Sequence, residues 1–145
     1  MIKRKVILIV EDERDDLSLI TRALGEDNPV LGWVAARNGL EALEYLEKTA
    51  IDNRNKHSTL PSLILMDLSM PKMGGINLLR EIRTCVKTRY IPVVVFTSSK
   101  NVQDIANCYE AGANSYINKP ADFASFRAVL RQLSDYWLSL NTTSC

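Results

Sequence analysis

The chain has 145 residues, 46% of them hydrophobic, which is enough for one well-buried core and too few for two ordinary domains. Eighteen basic and 17 acidic residues give a formal net charge of +1 with no basic block, which argues against nucleic-acid binding. No apolar run approaches the roughly 20 residues that span a bilayer, so we expect a soluble, cytoplasmic protein without membrane contact.

Apolar runs alternate with segments of helical periodicity in the first half of the chain. The first strand is predicted at Val6–Val10 and the second at residues 30–36, with a helix between them that ends at residues 27–29. Asn38 and Gly39 open a second helix, and residues 52–61 follow as a polar loop. The predicted inward positions are Leu17, Ile20 and Leu24 in the first helix, and Leu40, Leu43 and Leu46 in the second.

The second half continues the alternation, with strands predicted at residues 63–66, 91–96 and 115–118. Gly112 is a predicted C-cap of the fourth helix, and Asp122 is a predicted N-cap of the fifth. The predicted inward positions of the last three helices are Leu79, Ile82 and Val86; Val102, Ile105, Ala106 and Tyr109; and Phe123, Phe126, Val129, Leu130, Leu133 and Trp137.

Strict alternation of five strands and five helices implies parallel strands joined by right-handed crossovers, with helices on both faces of the sheet. We therefore predict an α/β protein with a flavodoxin-like, doubly wound sheet of order 2-1-3-4-5. It forms a single domain over residues 1–145, with a core from about 5 to 138 and a polar tail at 141–145. Its switch point lies between strands one and three, where such sheets bind ligands.

Asp67 directly follows the apolar third strand. By itself it is equally well interpreted as a turn or capping residue. The other strand ends favour a site, because acids at residues 11–13 follow strand one, Thr97 ends strand four and Lys119 follows strand five. The carboxyl ends of parallel strands meet at one edge of a sheet, so these side chains are predicted to lie together.

Three clustered carboxylates repel one another, so the cluster either raises a pKa or recruits a cation. Oxygen ligands without His or Cys favour Mg²⁺, with Mn²⁺ as a substitute. We expect Asp12 and Asp67 to bind the ion directly, and Glu11 to bind it directly or through a water. Asp67 is then a nucleophile toward a phosphoryl group, with Lys119 and Thr97 stabilising the charge of the transition state.

These residues form four short motifs, in order, at the ends of four strands, and together they resemble the motifs of response-regulator receiver (CheY-like) domains. The resemblance covers residues from about 5 to about 138. The motifs are Glu11-Asp12, Asp67 with Met70-Pro71, Thr97-Ser98, and Lys119-Pro120.

The resemblance implies further roles for residues of this chain. Asp67 is the implied phosphoacceptor, and the backbone carbonyl of Ser69 is an implied metal ligand. Thr97 and Tyr116 are the implied switch pair, in which the aromatic ring turns inward when the hydroxyl moves toward the phosphoryl group. The implied output surface is the face formed by the fourth helix, the fifth strand and the fifth helix.

A narrower resemblance concerns small receivers that partner phytochrome-type histidine kinases. It is carried by the polar insertion before strand three and by residues 94–100 and 136–139. It implies a single-domain response regulator of a phosphorelay, not an enzyme, that receives its phosphoryl group from such a kinase. No effector segment is recognisable after the last helix, so the expected output is contact with a downstream target, a phosphotransfer protein or a second copy of the chain.

Two other functional classes share parts of the pattern. A flavodoxin-like cofactor binder requires a phosphate loop after strand one, where residues 11–13 are acidic and would repel a phosphate unless a metal ion intervenes. A magnesium-dependent aspartyl-phosphate phosphohydrolase resembles Asp-x-Asp at the nucleophile, and Ser69 occupies the position of the second acid.

The remaining candidates are interpreted as structural. Cys85 and Cys108 are expected to be packed thiols and Cys145 a tail thiol, and His57 lies in a polar loop unsuited to phosphotransfer. Trp137 is expected in the core. Tyr136 and Leu140 lie off its helical face, which makes a homodimer through the last helix a hypothesis.

Overall fold

The computed structural model describes residues 5–27, 32–51 and 60–143. Its strands are β1 (Val6–Val10), β2 (Gly32–Ala36), β3 (Leu63–Met66), β4 (Val93–Thr97) and β5 (Ser115–Asn118). Its helices are α1 (Arg14–Asp27), α2 (Gly39–Ile51), α3 (Gly75–Thr84), α4 (Val102–Ala111) and α5 (Phe123–Ser134). The strands form one parallel sheet in the order β2-β1-β3-β4-β5, which confirms the predicted fold. None of the helices in these ranges is long and apolar enough to cross a membrane.

Strand β1 is buried on both faces because its side chains alternate between two hydrophobic clusters. Ile7 and Ile9 pack in one cluster with residues of α1 and α5. Leu8 and Val10 pack in the other with residues of α2, α3 and α4. All four side chains are fully buried. The sheet is therefore covered by helices on both sides, which leaves its edges and strand ends as places for a site.

Six positions predicted to face inward are exposed, so those assignments are wrong. Val102 and Phe123 are the first residues of their helices and Leu40 is the second of its helix, so they lie outside the central turns that pack on the sheet. Val86 lies beyond α3, which ends at Thr84. Helix α4 fully buries only one side chain, that of Cys108. The exposed positions are Leu40, Val86, Val102, Ala106, Tyr109 and Phe123.

Both predicted helix caps are confirmed. Gly112 has a left-handed backbone with φ of 110° and donates its N–H to the carbonyls of Cys108 and Tyr109. Asp122 accepts a hydrogen bond from the backbone N–H of Ser125 at 2.8 Å. These caps fix the ends of the helices that flank β5.

A π-helical segment, Asp135–Leu140, continues α5 and was not predicted from the spacing. Leu138 is buried within it, and Trp137 packs against the cluster that contains Ile7, as predicted for a core residue. Tyr136 and Leu140 are exposed, in agreement with their predicted positions off that face. The segment therefore presents two large hydrophobic side chains at the surface.

The cysteines only partly follow the prediction. Cys108 is buried, but Cys85 is exposed, so the expectation of two packed thiols is wrong. Cys85 is the C-cap of α3, past the helical turns that contact the sheet, which explains its exposure. Residues 28–31, most of the polar loop with His57, and Cys145 lie outside the described residues.

We expect Gly112→Ala to lower the free energy of unfolding by about 1–2 kcal/mol or more. The left-handed backbone disfavours a Cβ atom, and one built at Gly112 would lie 2.8 Å from Cγ of Arg83. The matched control is Gly25→Ala within α1, where an added Cβ meets nothing within 4 Å. It is expected to raise the free energy of unfolding by about 0.5–1 kcal/mol. Urea unfolding monitored by circular dichroism measures both changes, and a shift of the same sign in the two variants would contradict this account of Gly112.

Candidate functional site

The side chains singled out in the sequence follow strands that end at the same edge of the sheet. Strand β1 runs into Glu11 and its neighbour β3 runs into Asp67, and the backbone N–H of Asp67 donates to the carbonyl of Val10 at 3.0 Å. On the other side of β3, β4 ends in Thr97, whose carbonyl accepts from the backbone N–H of Lys119 at 2.8 Å. Continuous ladder hydrogen bonds therefore hold these residues on rigid backbone.

The acids form a tight cluster. One carboxylate oxygen from each of Glu11, Asp12 and Asp67 lies within 4.8 Å of the others. Glu11 is buried, Asp12 is exposed, and the side chain of Asp67 is 12% exposed. The backbone N–H of Leu68 donates to Oδ1 of Asp67 at 2.7 Å, and that of Glu13 donates to Oε1 of Glu11 at 3.1 Å. Two of the three carboxylates are thus held in fixed orientations.

Lys119 places its ammonium group among the acids. Its Nζ lies 2.8 Å from Oε2 of Glu11, 2.7 Å from Oδ2 of Asp16 and 3.2 Å from Oδ2 of Asp67. Only 5% of the lysine side chain is exposed. A buried ammonium is stable only when it is paired, so the three carboxylates account for its position.

Sequence reasoning missed Asp16. It lies in the first turn of α1, four residues after Asp12, and one helical turn brings it back toward the strand ends. That spacing from Asp12 was the available signal. Acids are common at the start of a helix because they interact favourably with the helix dipole. The acids at the start of α1 therefore did not single out Asp16 as a site residue.

Burial and pairing shift the pKa values of the two innermost charged groups in the site. Burial raises the pKa of Glu11 from its usual 4.5 to about 7, against the opposing hydrogen bond from Lys119, and the charge of Asp67 adds to the increase. Burial by itself would lower the pKa of Lys119, but its hydrogen bonds to Asp16 and Glu11 outweigh that effect and raise the pKa above 10.5. Lys119 is therefore charged at neutral pH. The pKa of Glu11 lies close to neutral pH, so this side chain gains or loses its proton near pH 7.

The loop after β4 connects Thr97 to Tyr116. Thr97 is buried, and its Oγ1 accepts from the backbone N–H of Ser99 at 3.4 Å. The carbonyl of Ser99 accepts from the hydroxyl of Tyr116 at 2.8 Å and from Nδ2 of Asn118 at 2.7 Å. The side chain of Ser99 donates to Asp104 of α4 at 2.6 Å. Ser99 is thus the physical link between the site, β5 and α4, and no pattern in the sequence indicates this link.

The loop after β3 carries Ser69 and is held close to the end of β3. Ser69 is exposed two residues after Asp67, and its role as a carbonyl ligand stays a prediction. The backbone N–H of Gly75 donates to the carbonyl of Leu68 at 3.1 Å. A Cβ atom at Gly75 would lie 2.7 Å from the carbonyl oxygen of Asp67, so only glycine allows α3 to start this close to the site.

The donor set fits a divalent metal ion. Glu11, Asp12 and Asp67 offer only oxygen atoms, two of them preoriented by backbone N–H groups, and the described residues bring no His or Cys to this cluster. Hard cations such as Mg²⁺, Ca²⁺ and Mn²⁺ prefer such ligands. The acidic cluster therefore suits a divalent ion.

A doubly wound sheet with an acidic cluster and a buried lysine at its switch point defines a phosphoryl-accepting signalling domain. The chain belongs to the family described as "Response regulator receiver domain", which matches residues 7–131. Members of this family take phosphoryl groups from histidine kinases. The family resemblance inferred from the sequence is confirmed.

Three relatives are similar over nearly the whole chain. The probable methanogenesis regulatory protein FilR2 of Methanothrix harundinacea is 35% identical, over 94% of this chain and 85% of FilR2. Response regulator Rcp1 of Synechocystis sp. is 33% identical, over 95% of this chain and 92% of Rcp1, and its Mn²⁺-bound crystal structure has a TM-score of 0.85 over 97% of this chain and 99% of that chain. The phosphorylated cyanobacterial phytochrome response regulator RcpA has a TM-score of 0.88 and 33% identity, covering 99% of this chain and all of that chain.

We expect the free energy of unfolding of the metal-free protein to fall as the pH rises from about 4.5 to about 7. The pKa of Glu11 is about 7 in the folded protein and near 4.5 when unfolded, so only the folded state holds this proton between those values. Glu11→Gln removes the titrating group, so its stability relative to the wild type should increase from pH 4.5 to pH 8. Chemical unfolding in the presence of a chelator measures the difference, and an unchanged difference across this range would contradict the raised pKa.

Proposed function

We propose that this protein is a single-domain response regulator, with a receiver core over residues 5–138, that accepts a phosphoryl group on Asp67 from a histidine kinase. The observation that carries the proposal is the setting of the Asp67 carboxylate. One oxygen is oriented by the backbone N–H of Leu68, and the other lies beside the ammonium of Lys119. We propose a signal receiver that takes part in its own phosphorylation and dephosphorylation, and not an enzyme for an external substrate.

The proposed step is transfer of the phosphoryl group to a carboxylate oxygen of Asp67. The new O–P bond forms as the P–N bond of the phosphohistidine breaks, and the imidazole of the donor takes up a proton. The transition state is loose and carries charge on the equatorial oxygens of the phosphoryl group. Lys119 supplies a positive charge to these oxygens, and the hydroxyl of Thr97 supplies a hydrogen bond.

We propose Mg²⁺ as the physiological ion, with Mn²⁺ as a substitute. Asp12 and Asp67 are the proposed direct ligands, the Ser69 carbonyl is a third, and Glu11 binds directly or through a water. The ion supplies charge neutralisation for the phosphoryl oxygens. The all-oxygen cluster supports this assignment, and the Mn²⁺-bound form of the relative Rcp1 is consistent with it.

The proposed switch transmits the new charge through the loop after β4. Phosphorylation places about two negative charges beside Thr97. Movement of Thr97 toward them alters its hydrogen bond with Ser99, and Ser99 holds the hydroxyl of Tyr116. Both ends of the proposed switch are therefore coupled to one short loop, which supports Thr97 and Tyr116 as the switch pair.

We propose a phytochrome-type histidine kinase as the phosphodonor, acting on this protein in the cytoplasm. One of the three relatives supports this proposal, since RcpA is a cyanobacterial phytochrome response regulator. FilR2 is described differently, as a methanogenesis regulator, at similar identity. The closeness of fold to RcpA over the whole chain favours the phytochrome proposal.

The proposed output is contact with a downstream target protein, a phosphotransfer protein or a second copy of the chain, and not with nucleic acid. The surface in question is the face of α4, β5 and α5. Val102 and Tyr109 are exposed on α4, and Tyr136 and Leu140 are exposed on the π-helical extension of α5. Exposed aromatic and aliphatic side chains are typical of interface cores, which supports protein contact, including the homodimer.

The wild-type protein is expected to gain the mass of one phosphoryl group after incubation with acetyl phosphate and Mg²⁺. Asp67→Asn should gain none, because an amide is not a nucleophile toward phosphorus. Intact-mass spectrometry measures both proteins. The matched control is Asp104→Asn, which removes an acid outside the cluster and should leave the gain intact. Absence of the added mass in the wild type would overturn the proposed function.

Thr97→Ala is expected to uncouple the loop after β4 from phosphorylation, whereas Thr97→Ser keeps the hydroxyl and should preserve the coupling. Hydrogen exchange of residues 98–105, measured with and without excess acetyl phosphate, gives the readout. The wild type and Thr97→Ser should show a phosphorylation-dependent change that Thr97→Ala lacks. An equal change in Thr97→Ala would show that the signal takes another route.

A further inference from the structure

The ammonium of Lys119 is shared unequally among three carboxylates. It has three N–H donors and three acceptors: Asp16 at 2.7 Å, Glu11 at 2.8 Å and Asp67 at 3.2 Å. The shortest distance is to Asp16 on α1, and the longest is to the proposed acceptor. The ammonium of Lys119 therefore lies closer to Asp16 and Glu11 than to Asp67.

Asp16 differs from the other two partners in its surroundings. It is not one of the three acids whose oxygens cluster within 4.8 Å, and its side chain is 28% exposed where that of Glu11 is 2% exposed. Its carboxylate is thus the one partner of Lys119 that does not also belong to the candidate metal cluster. A cation held by Glu11 and Asp67 therefore does not require the carboxylate of Asp16.

We propose that Asp16 is a positioning residue that holds the Lys119 ammonium at the α1 side of the site and so keeps Glu11 and Asp67 available to a divalent ion. Without Asp16, the ammonium shifts onto Glu11 and Asp67 and competes with the ion for their oxygens. The proposal rests on the proposed function and deepens it, since it concerns the same site. It assigns Asp16 as the acid that limits competition between the Lys119 ammonium and the metal ion for the oxygens of Glu11 and Asp67.

The first test measures binding of Mn²⁺ alone, by titration calorimetry, and requires no phosphorylation. Asp16→Asn is expected to weaken Mn²⁺ binding by about two- to fivefold, the range of a partly exposed ion pair. The matched control is Asp15→Asn, which removes the same charge from an exposed neighbour that forms none of the three ion pairs of Lys119. Asp16→Glu retains the carboxylate and should recover most of the affinity.

The second test separates positioning from a merely structural role. The rate of phosphorylation by acetyl phosphate is measured against Mg²⁺ concentration. Asp16→Asn should raise the Mg²⁺ concentration for half-maximal rate by a similar factor, without lowering the rate at saturating Mg²⁺, because a released Lys119 is still available to the phosphoryl group. A variant with a damaged fold would lose the saturating rate as well, and thermal unfolding checks this directly.

Equal Mn²⁺ affinities for Asp16→Asn and Asp15→Asn would overturn the proposal. The weaker binding would then result from the loss of one negative charge near the site and not from the loss of the Asp16–Lys119 ion pair. A lower saturating rate in a folded Asp16→Asn variant would also overturn it. Failure of the wild type to become phosphorylated would contradict the proposed function and leave the Mn²⁺ comparison as a separate result.

Discussion

The pairing of one buried ammonium with three carboxylates is the interaction on which the site depends. Lys119 stands among Glu11, Asp16 and Asp67 with little access to solvent. Neither the lysine nor Glu11 is stable in such a place by itself, because an unpaired buried charge is strongly destabilising. Three acids against one lysine still leave an excess of negative charge, and Asp12 adds to it. That excess suits a cation at this edge and, with the cation, the proposed transfer of a phosphoryl group.

The elements that carry Asp67 are packed more tightly than α4, which belongs to the proposed output surface. Asp67, the proposed acceptor, follows a strand whose residues are buried on both faces, and α3 starts in direct contact with the backbone of Asp67. Helix α4, in contrast, fully buries only Cys108, where α3 and α5 each bury four residues. Elements with few buried apolar contacts are those that open or shift most easily. The proposed phosphoryl transfer thus lies on the rigid part of the fold, and the proposed signal leads to the weakly packed helix α4.

The sequence was sufficient for the architecture and for most of the candidate site. The alternation of apolar runs with helical stripes is a local pattern, and the rules for parallel crossovers leave few topologies to choose from. Once the order was known, Glu11, Asp67, Thr97 and Lys119 had to meet, because each follows or ends a strand. The exposure of individual helix positions was harder to predict from the sequence. Apolar spacing indicates a face but not where a helix begins and ends on the sheet, as Leu40 and Val86 illustrate.

The sequence by itself determined the order of the elements and the identity of the residues at the strand ends, because both depend on short-range pattern. Only the tertiary structure decided which carboxylates pair with the ammonium group of Lys119. Asp16 is 103 residues from Lys119 in the chain, and its contact arises from the first turn of α1 folding back over the strand ends. The link from Thr97 through Ser99 to Tyr116 was also decided there, since it uses a backbone carbonyl that any residue type provides. Interactions made by backbone groups, or between positions far apart in the chain, produce no local pattern in the sequence.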